Sequence, residues 1–229
     1  MFKAMIFYKK TALITGAASG IGYSCSRALA AAGARVFCFD RNQPQEKVAG
    51  VTYLRGDVTS GASIRAALKR IDGQVDIVFN NAGIMKRGNI MDASEADFDR
   101  LFAVHVKGSW LMFKHCRPRL SADAILVQMS SRHALYFPSD PGLYALVKRA
   151  ALDLAELMAQ TYPQYRVKIL CPGPVDTPLS RTECGAEAWQ KKAQLVCTPD
   201  FLAQKILELL TSGKSKLIFD QESCDYYFE

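Results

Sequence analysis

Short apolar runs alternate along this chain with longer stretches whose apolar residues recur at helical spacing. Residues 11–14, 35–39, 51–54, 75–79, 124–127, 167–170 and 216–220 are rich in Val, Ile, Leu, Phe, Ala and Tyr, short and apolar enough to be buried strands. Between them lie helical patterns. One runs over 23–32 and is closed by Gly33; another, over 60–72, carries Ile64, Ala67, Leu68 and Ile71 on one face. Ser94, with Asp97 three residues on, is placed to cap a long helix reaching about Cys116. A further helix is predicted over 143–161, and a last one after Thr198 as N-cap and Pro199 at its first position. Strand and helix in strict alternation imply right-handed crossovers and a parallel sheet with helices on both faces. The prediction is an α/β fold, doubly wound, in a single domain spanning residues 1–229 with no linker or repeat.

Polar residues cluster where the predicted strands end. The first strand runs into Thr15-Gly16-Ala17-Ala18-Ser19-Gly20-Ile21-Gly22 and then a helix. Gly16 permits a tight turn, Gly20 lets backbone approach a pyrophosphate, and Gly22 allows close helix–strand packing, while the helix N-terminus offers N–H groups to an anion. Strand, glycine turn and helix together make the sheet Rossmann-like. The second strand ends in Asp40, a carboxylate able to accept hydrogen bonds from ribose hydroxyls and to repel a 2′-phosphate, which favours NAD over NADP. Arg41, beside it, is a residue able to accommodate that phosphate. The fourth strand ends in Asn80-Asn81-Ala82-Gly83, and the fifth delivers Ser130-Ser131. Tyr144 and Lys148 are four residues apart on the following helix, so phenol and ammonium share one face. A free phenol has a pKa of about 10; a neighbouring ammonium favours the phenolate and makes the tyrosine a usable general acid/base.

Composition narrows the picture. The chain of 229 residues is 49% hydrophobic and 22% charged, ordinary values for a globular protein with one large core. The net charge of +7 hints at acidic partners. Its basic residues come singly or in pairs such as Lys86-Arg87, however, with no aromatic–basic stripe, so nucleic-acid binding is not expected. Seven cysteines without C-x-x-C spacing point to reduced thiols and a cytoplasmic location, and three scattered histidines give no zinc pattern. The opening residues lack a signal-peptide pattern, and no apolar run approaches the roughly 18 residues of a membrane span.

Four blocks occur in order: Thr15-Gly16-x-x-x-Gly20-x-Gly22, Asn80-Asn81-Ala82-Gly83, Ser131 with Tyr144-x-x-x-Lys148, and Pro172-Gly173. In these the chain resembles the classical short-chain dehydrogenase/reductase family over almost its whole length. The resemblance implies an NAD-dependent oxidoreductase interconverting a secondary alcohol and a ketone. Tyr144 would be the general acid/base, Lys148 would bind nicotinamide ribose and lower the pKa of the tyrosine, and Ser131 would hold the substrate oxygen. Gly16, Ser19, Gly20, Ile21 and Gly22 would form the pyrophosphate turn. Asp57, with Val58 beside it, would meet the adenine, and Asn80, Ala82 and Gly83 would line the cofactor cleft. Val175 and Thr177, following Pro172 and Gly173 on the cofactor's side, would hold the carboxamide. Alternatives are NADPH-dependent carbonyl reduction and a cofactor-binding regulatory protein without turnover.

Two departures from the family pattern stand out. His105, in Val104-His105-Val106-Lys107-Gly108, occupies the place of the usual mid-helix asparagine. Its ring either makes a steadying hydrogen bond or passes protons itself. The usual glycine-rich finish after the last strand is replaced by residues 221–229. The helix over 143–161 is apolar around most of its circumference, its polar stripe being Arg149, Asp153, Glu156 and Gln160. That excess implies a second covered face and a homodimer or homotetramer. Residues 175–196, with Trp189, are expected to form a short lid, and Met85, His133, Tyr136 and Trp189 to surround the substrate.

Overall fold

The computed structural model describes residues 5–136, 142–184 and 196–229. Its strands are β1 (Thr11–Thr15), β2 (Arg35–Asp40), β3 (Val51–Arg55), β4 (Val75–Asn80), β5 (Leu120–Met129), β6 (Arg166–Cys171), β7 (Lys216–Asp220) and β8 (Asp225–Phe228). The helices are α1 (Gly20–Ala31), α2 (Gly61–Leu68), α3 (Glu95–Phe102), α4 (Gly108–Cys116), α5 (Gly142–Thr161), α6 (Pro178–Cys184) and α7 (Pro199–Thr211). The strands form one sheet in the order β3-β2-β1-β4-β5-β6-β7-β8. Apolar side chains alternate between its two faces, as the two-residue period of a strand requires. Ile14, Cys38, Phe79 and Val127 pack on one side with Leu29 of α1 and Leu202, Ile206 and Leu209 of α7. Leu13, Phe37, Val78 and Leu126 pack on the other with Ile64 of α2, Met112 of α4 and Leu152 of α5. The doubly wound α/β architecture is therefore present, and all seven predicted strands are found.

Local chemistry sets several of the boundaries. Ser94, Thr198 and Ser60 each accept a backbone N–H in the first turn of the helix they precede, from Asp97, Phe201 and Ser63. Gly33 follows α1 at φ +92°, a left-handed conformation that glycine adopts without strain.

Two features differ from the expectation. The helix predicted from Ser94 to Cys116 is not continuous: a π-helical turn over Ala103–Lys107 separates α3 from α4 and carries His105. The sheet is not wholly parallel, because β8 folds back antiparallel on β7. The turn between them is built by the Asp220 carboxylate, which accepts from the backbone of Glu222 and Ser223 and from the Ser223 hydroxyl. Residues 221–229 thus add a hairpin edge in place of the glycine-rich finish.

Helix α5 buries Leu143, Tyr144, Val147, Lys148, Ala151, Leu152 and Ala155. Its outer side leaves Leu146 and Leu157 exposed at 38% and 59%, and Trp110 of α4 and Phe98 of α3 are exposed too. We propose that these exposed apolar residues are covered by a second copy of the chain. Light scattering at micromolar concentration should report a dimer or larger assembly, and Leu157→Glu with Leu146→Glu should shift it to monomer.

Candidate active site

The strand order reverses between β1 and β4, so helices leave these two strands toward opposite faces and a crevice opens at their C-terminal ends. The sequence places its polar residues there. Gly16 and Gly20 have φ of +64° and +56°. A Cβ on Gly16 would lie 2.6 Å from the Ala82 Cα, and one on Gly20 would lie 3.1 Å from the Thr177 methyl. The turn therefore has room for backbone alone. Asn81 fastens it: its Nδ2 donates to the carbonyls of Thr15 (3.0 Å) and Gly16 (2.9 Å). In return the Thr15 hydroxyl accepts from the Asn81 and Ala82 amides, each at 3.0 Å.

At the end of β2 the Asp40 carboxylate accepts from Ala18 N (3.0 Å) and Asn42 N (2.9 Å), which orients it at the cavity edge. Arg41 points elsewhere: it is exposed, and its Nε lies 3.8 Å from the Asp57 carboxylate. Asp57 also accepts from the Thr59 amide and hydroxyl, both at 2.8 Å.

At the end of β5, Ser130 donates to the Lys148 carbonyl (2.8 Å), tying the strand to α5. Ser131 opens a short 3₁₀ turn, Arg132–Ala134, by accepting from His133 N at 3.2 Å. Its side chain acts on the Tyr144 phenol, favouring the phenolate. Lys148 donates to the Met129 carbonyl (3.3 Å) and holds its ammonium 5.5 Å from the centre of the Tyr144 ring. Both side chains are buried, at 8% and 3% exposure.

Burial dominates the electrostatics. It pushes the Tyr144 phenol up to about 12, against opposing effects from the Ser131 side chain and the charge of Arg87. It brings the Lys148 ammonium down to about 7, although Cys171 opposes it. The expected lowering of the phenol by Lys148 is thus not what this structure contains: withdrawal from water, which disfavours any charged form, outweighs the neighbours. His105 is buried as well. Its pKa falls well below 6.5 through burial first and the Lys148 charge second.

The His105 ring makes a specific contact with the glycine-ended loop. Nε2 lies 2.7 Å from the Ile84 carbonyl and 3.2 Å from the Ile84 amide. The shorter contact suits an Nε2–H donating to the carbonyl. The ring rests on Gly83, where a Cβ would come within 2.8 Å of Cε1, and stands edge-on to Tyr144 with ring centres 5.8 Å apart. The His105 carbonyl accepts from the Ser109 hydroxyl at 2.8 Å.

One cavity of about 460 Å³ joins these parts. Its wall includes Gly16, Ser19, Gly20, Ile21, Asp40, Gly83, His105, Ser131, Tyr144, Lys148, Pro172, Gly173, Val175 and Thr177. The other predicted residues lie behind it. Gly22 packs where a Cβ would strike Asn81, and Ala82 sits on Gly16. Asn80 is turned into the core, donating to the Ser109 carbonyl at 3.1 Å, so Asn81 is the asparagine that reaches the wall. Asp57 faces Thr59 and Arg41, while Val58 fills the space above Gly108. Met85 and His133 line the cavity as expected, whereas Tyr136 is 54% exposed and stands off it. Trp189 and residues 185–195 of the anticipated lid lie outside the described residues, as do Pro138 and Pro141 of the loop before α5. Wall residues not singled out from sequence include Asn42, Arg87, Met129 and Arg132. Arg132 follows Ser131 directly, which is the signal that points to it. No group of residues able to hold a metal ion occurs among the described residues, and no helix there is long and apolar enough to cross a membrane.

Comparison with known proteins agrees with this architecture. A family model described as enoyl-(acyl carrier protein) reductase matches residues 16–214. Oxidoreductase UcpA of Salmonella typhimurium is 37% identical over 190 residues, covering 76% of this chain and 72% of its own. Dehydrogenase/reductase SDR family member 6 of Aquarana catesbeiana is 31% identical over 211 residues, covering 86% and 82%. Among solved structures, the 3-ketoacyl-(acyl-carrier-protein) reductase of Brucella melitensis complexed with NADH superposes with a TM-score of 0.81. It is 27% identical, and the match covers 90% of this chain and 92% of that one. With the glycine turn, the Asn81 clamp and the Ser131–Tyr144–Lys148 cluster in place, this chain belongs to the classical short-chain dehydrogenase/reductase family of oxidoreductases.

Proposed function

We propose that the protein interconverts a secondary alcohol and a ketone with NAD(H) as cofactor. The observation that carries this reading is the buried cluster in which Tyr144 and Lys148 share one side of α5, the Lys148 ammonium lying over the Tyr144 ring, with Ser131 on the same cavity wall. It stands at one end of a cavity whose other end holds the glycine turn and Asp40. The site fits a dinucleotide: the Gly16–Gly20 turn leaves a cradle that side chains would fill, and α1 begins on the cavity wall with Ser19, Gly20 and Ile21. Bound there, the nicotinamide supplies or takes up the hydride.

The chain's own groups supply position and the proton. Ser131, on the same cavity wall, is placed to donate to the substrate oxygen. Tyr144, whose phenol burial pushes toward its protonated form, is a donor to the alkoxide that develops during reduction. In the reverse direction the phenolate needs nearby positive charge, which Lys148 and Arg87 provide. His105 is read as a neutral brace: it holds the Gly83–Ile84 backbone and the edge of the Tyr144 ring. NAD is favoured over NADP because Asp40 is oriented by two backbone amides at the cavity edge, while Arg41 is drawn toward Asp57.

Tyr144→Phe removes only the phenolic oxygen. NADH should still bind by fluorescence titration, and turnover of a secondary alcohol should fall by about two or more orders of magnitude. Retained turnover would remove Tyr144 from the mechanism. Asp40→Ala should narrow the NAD-over-NADP ratio of kcat/KM, since it removes both the ribose acceptor and the repulsion of a 2′-phosphate; wild-type preference for NADPH would sink the reading.

The brace predicts a particular pH behaviour. His105 is neutral in the folded protein and ionises at about 6.5 when unfolded. The unfolded state thus takes up the extra proton, so this contribution to stability is complete above about pH 6.5 and is lost as the pH falls below it. His105→Asn should therefore show a shallower decline of Tm between about pH 6.5 and 5, with an unchanged pH–rate profile. Disappearance of a wild-type kinetic ionisation between about pH 6 and 7 would instead make the imidazole a proton carrier.

A further inference from the structure

The charges along the cavity are distributed unevenly. Asp40 is the one carboxylate on its wall among the described residues. It ends β2, whereas Ser131 follows β5, three strand positions away, or about 14 Å at the usual spacing. The catalytic end carries basic groups instead: Lys148, Arg87, whose charge acts on the Tyr144 phenol, and Arg132 next to Ser131.

The arginines of this chain are held in two ways. Some rest on carboxylates, Arg181 on Asp176, Arg149 on Asp153 and Arg27 on Asp200, and others on neutral groups, as Arg117 does on Tyr162. Arg119 spreads its guanidinium over the Leu68, Ile71 and Gly73 carbonyls. Arg132 is half-buried, and the groups that position its guanidinium are neutral. Nη1 donates to Gln221 Oε1 at 3.3 Å, and the guanidinium lies 5.8 Å from the centre of the Phe219 ring. Its backbone N–H donates to the Pro172 carbonyl at 3.0 Å, fixing the Ser131 turn against the 172–175 loop. No ion pair links it to a carboxylate among the described residues, and burial lowers its pKa. A guanidinium withdrawn from water without a counter-charge is costly. Neutral partners orient it without cancelling its charge, which leaves the fork available to an anion entering the cavity.

On the reading of this site as an alcohol–ketone oxidoreductase, we propose that its substrate is a short hydroxy acid or the corresponding keto acid, with the carboxylate held by Arg132. The adjacency of Arg132 to Ser131 brings the carboxylate within a few bonds of the reacting carbon. An acidic substrate also fits the chain's net charge of +7.

The test is a panel of short 2- and 3-hydroxy acids, each paired with its primary amide, assayed with NAD on wild type, Arg132→Gln and Arg132→Lys. Charge-assisted pairing predicts that wild type prefers the acid over the amide by about 10- to 100-fold in kcat/KM, mainly through KM. The preference should collapse in Arg132→Gln and return in part in Arg132→Lys. Alongside, binding of the corresponding unsubstituted short carboxylates to the NADH complex is followed by quenching of NADH fluorescence, which also reports whether each variant forms the cleft. Carboxylate binding that depends on residue 132, with no turnover of any substrate, would uphold the anion site and defeat the proposed reaction. Turnover with no preference for acids over amides would defeat the anion site and leave the reaction standing. Equal acid preference in wild type and Arg132→Gln would also overturn the assignment to Arg132. If Arg132→Gln fails to form the cleft, the comparison rests on Arg132→Lys: a preference and binding unchanged there would equally count against a guanidinium fork.

Discussion

The joint between β1 and β4 is the constraint on which the rest of this molecule depends. These strands are neighbours at the point where the strand order reverses, and their ends are locked by the Thr15 hydroxyl and the Asn81 amide. Four hydrogen bonds satisfy backbone groups that the glycine turn would otherwise leave unpaired, each costing about 1–3 kcal/mol if orphaned in the interior. Without that lock the Gly16–Gly20 turn has no reason to keep its left-handed conformations, and the cradle at the head of α1 is lost. Asn80, the neighbouring residue, looks the other way and joins β4 to α4 through Ser109. The Ser109 hydroxyl in turn takes the His105 carbonyl, and His105 returns to the loop at Ile84. The two asparagines thus brace one loop from opposite sides.

The same burial that stabilises the site limits its charge. Tyr144, Lys148 and His105 lie within one cluster, and withdrawal from water moves each toward its neutral form. A cluster kept close to neutral avoids the heavy cost of isolated buried ions. It also leaves the site responsive: charge introduced by a bound ligand acts in a medium where opposing water is absent. The π-helical turn fits this arrangement. By adding a residue to the helical repeat at Ala103–Lys107, it departs from the regular α3–α4 path where His105 meets Gly83 and the Tyr144 ring edge.

The C-terminal hairpin supports the opposite wall. Phe219 of β7 packs on Gly173, where a Cβ would come within 2.5 Å of the ring, and Tyr226 of β8 stands against Phe219 and Cys197. Gln221, in the hairpin turn, reaches Arg132. The loop after β6, the turn after β5 and the chain end thus share one set of contacts, and the antiparallel strand that departs from the family pattern is joined to the catalytic end of the cavity.

Much of this was legible in the sequence because it depends on local rules. The two-residue and 3.6-residue periods specify which segments are strands and which are helices. Ser94 and Thr198 announce helix starts because their hydroxyls satisfy amides within three residues. The fourfold spacing of Tyr144 and Lys148 brings both to one face of α5. What tertiary structure decided was direction and balance. Asn80 and Asn81 are adjacent and chemically identical, yet only packing against α4 and the glycine turn determines which of them faces the cavity. The helix through His105 reads as regular, because a π-helical turn arises from contacts with Gly83 and Tyr144 rather than from the residues that form it. Strand β8 is hidden in residues that lack a glycine signal; it forms because β7 offers an open edge and the Asp220 carboxylate organises the turn. The sign of the Tyr144 shift also belongs to the fold. Proximity to a lysine is visible in the spacing, but the depth of burial that outweighs it exists only once β5, α5 and the π-helical turn have closed around the ring.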